Sequence, residues 1–216
     1  MPRIPYSVWI MNDIIPDDLF FYEDVPVQQF LRRRKSFLAD YLVDNLTYSD
    51  WLKTKCSEAN INPKLLLVQL QKEQSLVSKT AEPPESVMKR CLGFGATDSG
   101  DLEQYYGFEK QHISAITRMS MDFENFRKLS TQPQRKINNN YDLITPANAL
   151  TSVLYKYTPW SGEPTSLWSV GFTNQAKKVI RGMGIHGCYL FWKVWKNWWP
   201  EDLAKHYHLE LDVQDV

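Results

Sequence analysis

The sequence lacks any run of about 18 apolar residues, so it offers no candidate for a membrane-spanning helix. Cysteine is scarce. Cys56, Cys91 and Cys188 allow one disulfide at most and form no Cys-x-x-Cys pair, which argues against a zinc ribbon or a disulfide framework. Net charge is also absent, because 25 basic residues balance 25 acidic residues. We therefore expect no nucleic-acid partner.

The N-terminus is a poor secretory signal. Its apolar residues are interrupted by prolines and soon followed by acidic residues. The localisation stays open at this point. Either a secretory signal has already been removed, or the protein leaves the cell by another route, or it stays inside.

The spacing of apolar residues predicts six or seven helices and few strands over 216 residues. This pattern is typical of a mainly α, single-domain protein with little or no β-sheet. We expect an irregular N-terminal segment at residues 1–35, a domain at residues 36–200 and a C-terminal tail at residues 201–216. Residues 128–141 are predicted to form a polar connection. The tryptophan cluster of residues 192–199 is predicted to lie in the core.

The stretch INPKLLLVQLQKEQSLV, residues 61–77, predicts a helix that begins with Asn62 as its N-cap and Pro63 as its first residue. At about 100° per residue, Glu73 falls within the apolar stripe. The opposite, solvent-facing side is predicted to carry the polar residues Lys64, Gln71, Ser75, Ser78 and Lys79.

Glu73 therefore raises a question about its charge. Burying an unpaired carboxylate is costly, and the usual consequence is a raised pKa, which suits a general acid. The alternative is a glutamate at the edge of the core that reaches solvent or pairs with an arginine. The sequence GFGATDSGD, residues 93–101, follows as a glycine-rich loop in which Asp98 is a candidate second carboxylate. It is also compatible with an ordinary surface turn.

Four phrases, NINPKLLLVQLQKEQSLV, GFGATDSG, GFEKQ and TPANALTSVLYKYTP, resemble the lysozyme superfamily in its branch of lytic transglycosylases and goose-type lysozymes. The resemblance covers about residues 48–199. It implies a lysozyme-like helical domain at residues 36–200 with Glu73 as the catalytic acid. The chain has the Gly-Phe-Gly phrase but lacks the Met-Gln that the family often has beside it.

The same resemblance implies that side chains of a later helix face the catalytic glutamate. The candidate substrate-binding residues are Phe94, Asn148, Tyr155 and Tyr157. Gln111 is a candidate donor to a sugar and equally a candidate helix cap. Trp160 is a candidate platform for a sugar face.

From these features we expect an enzyme that cleaves β-1,4 bonds of peptidoglycan, with a single glutamate as general acid and base. No cofactor or metal is predicted, and the protein is expected to act as a monomer on the cell wall, outside the cytoplasm. Hydrolysis and anhydro-forming transglycosylation both stay open. The alternatives are a chitinase or chitosanase of the same fold, and a non-catalytic glycan-binding, phage or secretion structural protein.

Overall fold

The computed structural model describes most of the chain. The described ranges are Ile4, residues 8–97, 100–138, 140, 142–162 and 186–209, with the backbone alone at residues 96, 97, 100 and 101.

Helices dominate the described part of the chain, which confirms the predicted mainly α class. Their bounds are α1 Val27–Arg33, α2 Tyr48–Glu58, α3 Pro63–Gln74, α4 Glu85–Met88, α5 Phe108–Phe126, α6 Ala149–Tyr157, α7 Gly187–Trp198 and α8 Pro200–His206. Short 3-10 helices connect several of them, among them Asp17–Phe20 and Leu76–Ser78.

Strands occur only as short antiparallel pairs within the described ranges. These pairs are β1 Leu42–Val43 with β2 Leu46–Thr47, β3 Ala96–Thr97 with β4 Gly100–Asp101, and β5 Arg135–Ile137 with β6 Asp142–Ile144. In the third pair Arg135 lies opposite Ile144 and Ile137 opposite Asp142. This hairpin occupies part of the predicted polar connection, so that prediction is wrong for residues 135–137.

The chain divides into two compact units. One, the 20–121 unit, comprises Phe20–Met121. The other, the terminal unit, comprises Met1–Leu19 and Asp122–Val216. Of the segments predicted to lie outside the domain, residues 1–35 contain α1 and residues 201–216 contain most of α8.

Helix α3 is the central element of the 20–121 unit. Asn62 accepts a hydrogen bond from the backbone N–H of Lys64 at 3.0 Å, and Pro63 is the first helical residue, which confirms the predicted start. Every residue from Pro63 to Leu70 is buried. The prediction of a solvent-facing Lys64 is wrong, because this part of α3 is covered on all sides and the Lys64 ammonium pairs with Glu23 at 2.8 Å.

The terminal unit contains the tryptophan-rich helix α7. Trp192 and Trp195 are fully buried and Trp199 nearly so, which confirms the predicted core position of these three rings. Helix α7 ends at Trp198, and Pro200 begins α8 instead of extending α7. Proline is tolerated in a first helical turn because the N–H that it lacks has no partner there.

Candidate functional site around Glu73

Glu73 lies in the last turn of α3, one residue before the helix ends at Gln74. Ser75 follows with a φ of 55°, the left-handed conformation that commonly terminates a helix. About a quarter (26%) of the Glu73 side-chain surface is exposed. The carboxylate is therefore at the edge of the core, within reach of a ligand.

The Glu73 carboxylate has a partner inside its own helix. The Nζ atom of Lys72 lies 2.6 Å from Oε1 of Glu73, and the Lys72 side chain is only 6% exposed. The premise of an unpaired, buried carboxyl group is therefore wrong. Helical spacing does not indicate this pair, since adjacent residues point about 100° apart and do not normally face each other. The proposed role of Glu73 as a catalytic acid stays a prediction.

Gly93 closes one side of the carboxylate. A Cβ atom placed on Gly93 would lie 3.3 Å from Oε2 of Glu73, so a side chain at this position would crowd the carboxylate and glycine leaves it room. Gly93 also has a φ of +66°, a conformation that glycine adopts without strain. The glycine-rich loop and the end of α3 are thus brought together, as the sequence suggested.

Two aromatic rings meet beside Gly93, Phe94 from the glycine-rich loop and Tyr105 from the short 3-10 helix Glu103–Tyr105 that follows it. The rings of Phe94 and Tyr105 meet edge to face with centroids 4.9 Å apart, and both side chains are partly exposed. The Tyr105 ring also lies against Gly95, where an added Cβ would come within 2.5 Å of it. Phe94, a predicted substrate-binding residue, is therefore next to Gly93 and forms an aromatic surface with Tyr105.

Gln111 reaches this loop from α5 and is fully buried. Its Oε1 atom accepts from the N–H groups of Leu92 (3.3 Å) and Phe94 (3.0 Å). Its Nε2 atom donates to the carbonyl oxygens of Phe94 (2.9 Å) and Tyr105 (2.8 Å). The structure thus commits the Gln111 amide to the loop backbone.

The candidate second carboxylate, Asp98, lies outside the described residues. The same holds for the side chain of Asp101 in the same loop. Its predicted place opposite Glu73 therefore stays a prediction.

The remaining predicted substrate-binding residues belong to the terminal unit. Asn148 caps α6 and donates to Asp13 and to the carbonyl oxygen of Ile15. Tyr155 is buried and its hydroxyl donates to the carbonyl oxygen of Met11 at 2.9 Å.

Tyr157 and Trp160 are partly exposed in the same unit. The ring of Trp160 packs edge to face on His186, with centroids 5.7 Å apart. Roles in substrate binding stay predictions for all four of these residues.

Sequence reasoning missed a polar cluster behind Gln111. His112 is completely buried, with its Nδ1 atom 2.7 Å from the carbonyl oxygen of Phe108 and its Nε2 atom 3.0 Å from the Tyr48 hydroxyl. The Cys91 sulfur lies 3.9 Å from Nδ1. Burial raises the pKa of the Cys91 thiol well above its ordinary range, so this cysteine is not an activated nucleophile.

Two kinds of feature are absent from the described ranges. No helix there is long and apolar enough to cross a membrane. Nor do three or more histidine, cysteine, aspartate or glutamate side chains come together there as a metal-binding group.

Comparison with known proteins gives one family. The family model of the LasA N-terminal domain matches residues 13–207 of this chain. No curated protein and no solved structure is matched. LasA is a staphylolytic peptidase, so the family points away from glycoside hydrolysis, and the prediction of a lysozyme-type, glycan-cleaving enzyme is wrong. Because the match extends over most of the sequence, this chain belongs to the LasA N-terminal domain family.

Proposed function

We propose that this chain takes part in cell-wall lysis and binds the peptide part of peptidoglycan through the site around Glu73. The observation that carries the proposal is the family match over residues 13–207. LasA is a staphylolytic peptidase, and a peptidase acts on peptide bonds of the wall. The coarse prediction of a cell-wall partner is kept, while the predicted glycan bond is replaced by the peptide.

The chemistry of the site supports a peptide ligand with a free amine. A partly exposed carboxylate attracts an ammonium group, and the faces of aromatic rings add to that attraction. Glu73 supplies the carboxylate, where a ligand amine would compete with the Lys72 ammonium at Oε1, and Phe94 and Tyr105 supply the rings. The stem and bridge peptides of peptidoglycan carry such amines, whereas the N-acetylated glycan strand does not.

A binding experiment tests the proposal. The chain is mixed with purified sacculi, and the bound fraction is measured after addition of soluble stem peptides or of amino-sugar oligomers. We expect stem peptides to release the chain and N-acetylated amino-sugar oligomers, which have no free amine, to leave it bound. We expect Glu73→Gln to weaken binding roughly tenfold, since a charge-assisted contact is lost.

Glu109→Gln is the matched control. Glu109 is an exposed acidic residue of the same unit, so this variant makes the same change of charge away from the site. Equal loss of binding in both variants, or release by amino-sugar oligomers alone, would contradict the proposal. Mass spectrometry of the supernatant shows in the same experiment whether peptide bonds are cut.

We further propose that the resemblance to the lysozyme superfamily concerns the arrangement of helices alone. The expected monomeric state and the absence of a nucleic-acid partner also stay predictions. Analytical ultracentrifugation and retention on heparin measure them.

A further inference from the structure

We infer that Gln111 is a positioning residue, which holds Gly93 and the aromatic residues Phe94 and Tyr105 beside the carboxylate of Glu73. This role deepens the proposed function and rests on it for its consequence in ligand binding. The geometric part concerns the molecule alone and is tested separately.

The side-chain amide of Gln111 forms every hydrogen bond available to it. A side-chain amide has two acceptor sites on oxygen and two N–H donors. All four are used, by the N–H groups of Leu92 and Phe94 and by the carbonyl oxygens of Phe94 and Tyr105. The amide has one possible orientation, because a flip would place NH₂ against two N–H groups and oxygen against two carbonyls.

The hydrogen bonds of Gln111 lie on both sides of Gly93. Leu92 and Phe94 are the two neighbours of Gly93, so Gln111 fixes the backbone on both sides of the glycine whose missing side chain leaves room for Oε2 of Glu73. The bond to the carbonyl oxygen of Tyr105 holds the backbone of that residue, and the Tyr105 ring lies against Phe94 and Gly95. One side chain thus ties together the glycine and the aromatic surface of the site.

Gln111 is held in place by helix α5. Gln111 is in the first turns of the 19-residue helix α5, and its neighbour His112 is locked by Tyr48 and by the carbonyl oxygen of Phe108. Backbone hydrogen bonds also hold this region, from the N–H of Gly93 to the carbonyl oxygen of Arg90 (3.0 Å), from Leu102 to Gly95 (2.9 Å) and from Gly107 to Lys89 (3.0 Å). Gln111 adds to them a link between the residues on either side of Gly93 and helix α5.

The test uses Gln111→Met, which keeps the length of the side chain and removes all four hydrogen bonds. We expect the backbone amides of Leu92 and Phe94 to exchange with deuterium roughly ten- to a hundredfold faster, because their partner is lost. We also expect carbodiimide to label Glu73 faster than before, relative to Glu109 in the same molecule. Binding to sacculi should weaken roughly tenfold.

Two controls separate positioning from a general loss of stability. Gln104→Met changes an exposed glutamine of the same loop and should leave exchange, labelling and binding unchanged. Leu52→Ala removes a fully buried side chain of α2 and should lower the melting temperature without the selective change at Glu73.

A double variant adds the readout that a purely structural role would not move. If Gln111 acts through Glu73, adding Gln111→Met to Glu73→Gln should weaken sacculus binding little further. Additive losses would overturn the positioning role. Unchanged amide exchange or unchanged Glu73 labelling in Gln111→Met would overturn it as well. If the unmodified chain does not bind sacculi, the proposed function fails, and exchange and labelling still decide the geometric claim.

Discussion

His112 lies inside the 20–121 unit with no exposed surface, between the Tyr48 hydroxyl and the backbone oxygen of Phe108. Because a carbonyl oxygen only accepts, Nδ1 carries the proton and Nε2 accepts from Tyr48. Burial lowers the pKa of His112 to about 4, since it disfavours the charged imidazolium, while the bond to Phe108 opposes this shift.

This pKa predicts acid sensitivity. Between pH 6.5 and about 4 the unfolded histidine binds a proton that the folded one does not, so stability falls as the pH decreases through this range. We expect His112 to account for a loss of roughly 3 kcal/mol between pH 7.5 and pH 4.

Urea unfolding at the two pH values measures this loss. His112→Gln keeps a donor and an acceptor but cannot be protonated, so its free energy of unfolding should change less with pH. The difference between the two chains isolates the histidine from the carboxyl groups, which titrate in both. An identical pH dependence would refute the assignment.

A second prediction for a single residue concerns Gly93. In Gly93→Ala the new methyl group would approach Oε2 of Glu73 to 3.3 Å, at a φ of +66° that costs about 1–2 kcal/mol for a residue with a side chain. We expect lower stability together with a clear loss of sacculus binding, measured by urea unfolding and by the bound fraction.

Gly107→Ala is its control. Gly107 also has a positive φ, +117°, but an added Cβ would meet nothing within 4 Å. It should therefore lose stability through backbone strain and keep its binding. Equal binding losses in the two variants would show that strain, and not contact with Glu73, causes the effect.

At the scale of elements, two helices begin with an asparagine cap but depend on it differently. Asn62 on α3 accepts from Lys64 and donates to Glu23 at a long 3.5 Å, whereas Asn148 on α6 accepts from Thr151 and donates to Asp13 at 2.7 Å and to Ile15 at 3.1 Å. The first turn of α6 has an additional cap, because the Asp17 carboxylate accepts from two of its N–H groups. The segment around Asp13 and Asp17 is thus fixed to α6 by side chains.

We expect Asn148→Ala to lower the free energy of unfolding by about 2–3 kcal/mol, since it removes a cap and two tertiary bonds. Asn62→Ala should cost about 1 kcal/mol, the usual effect of a lost cap. Urea unfolding followed by circular dichroism compares the two. A larger loss for Asn62→Ala would contradict this account of α6.

At the scale of the molecule, the three cysteines are buried thiols that form no disulfide. Burial raises the pKa of the Cys56 and Cys91 thiols, so alkylation is slow until the surrounding structure opens. Both belong to the 20–121 unit, and Cys188 belongs to the terminal unit. The thiols are therefore internal reporters of the two units.

Pulsed alkylation across a urea gradient, read by mass spectrometry, uses these reporters. We expect no labelling in the native state and coincident transitions for Cys56 and Cys91, because they lie in one compact unit. Separate midpoints for these two cysteines would show that the 20–121 unit does not unfold as a whole. The curve of Cys188 reports the terminal unit independently.

Much of the local structure follows from residue order. The start of α3 was predictable because Asn62 and Pro63 act through backbone groups within two residues of themselves. The end of α7 was predictable because Pro200 lacks the N–H needed to continue a helix. The hairpin of residues 135–144 was missed, since its strands are short and Asn138 and Asn140 adopt positive φ values without a glycine signal.

The mainly helical class, the helix around Glu73 and the glycine loop that follows it could be read from residue order, because each depends on neighbours along the chain. The environment of the side chains depends on the fold. Lys64 is buried and paired with the exposed Glu23, Lys72 is paired with Glu73, and Gln111 is bound to the loop backbone. Charge pairing and amide satisfaction depend on distances between groups that the fold brings together, and the period of a single helix contains no information about them.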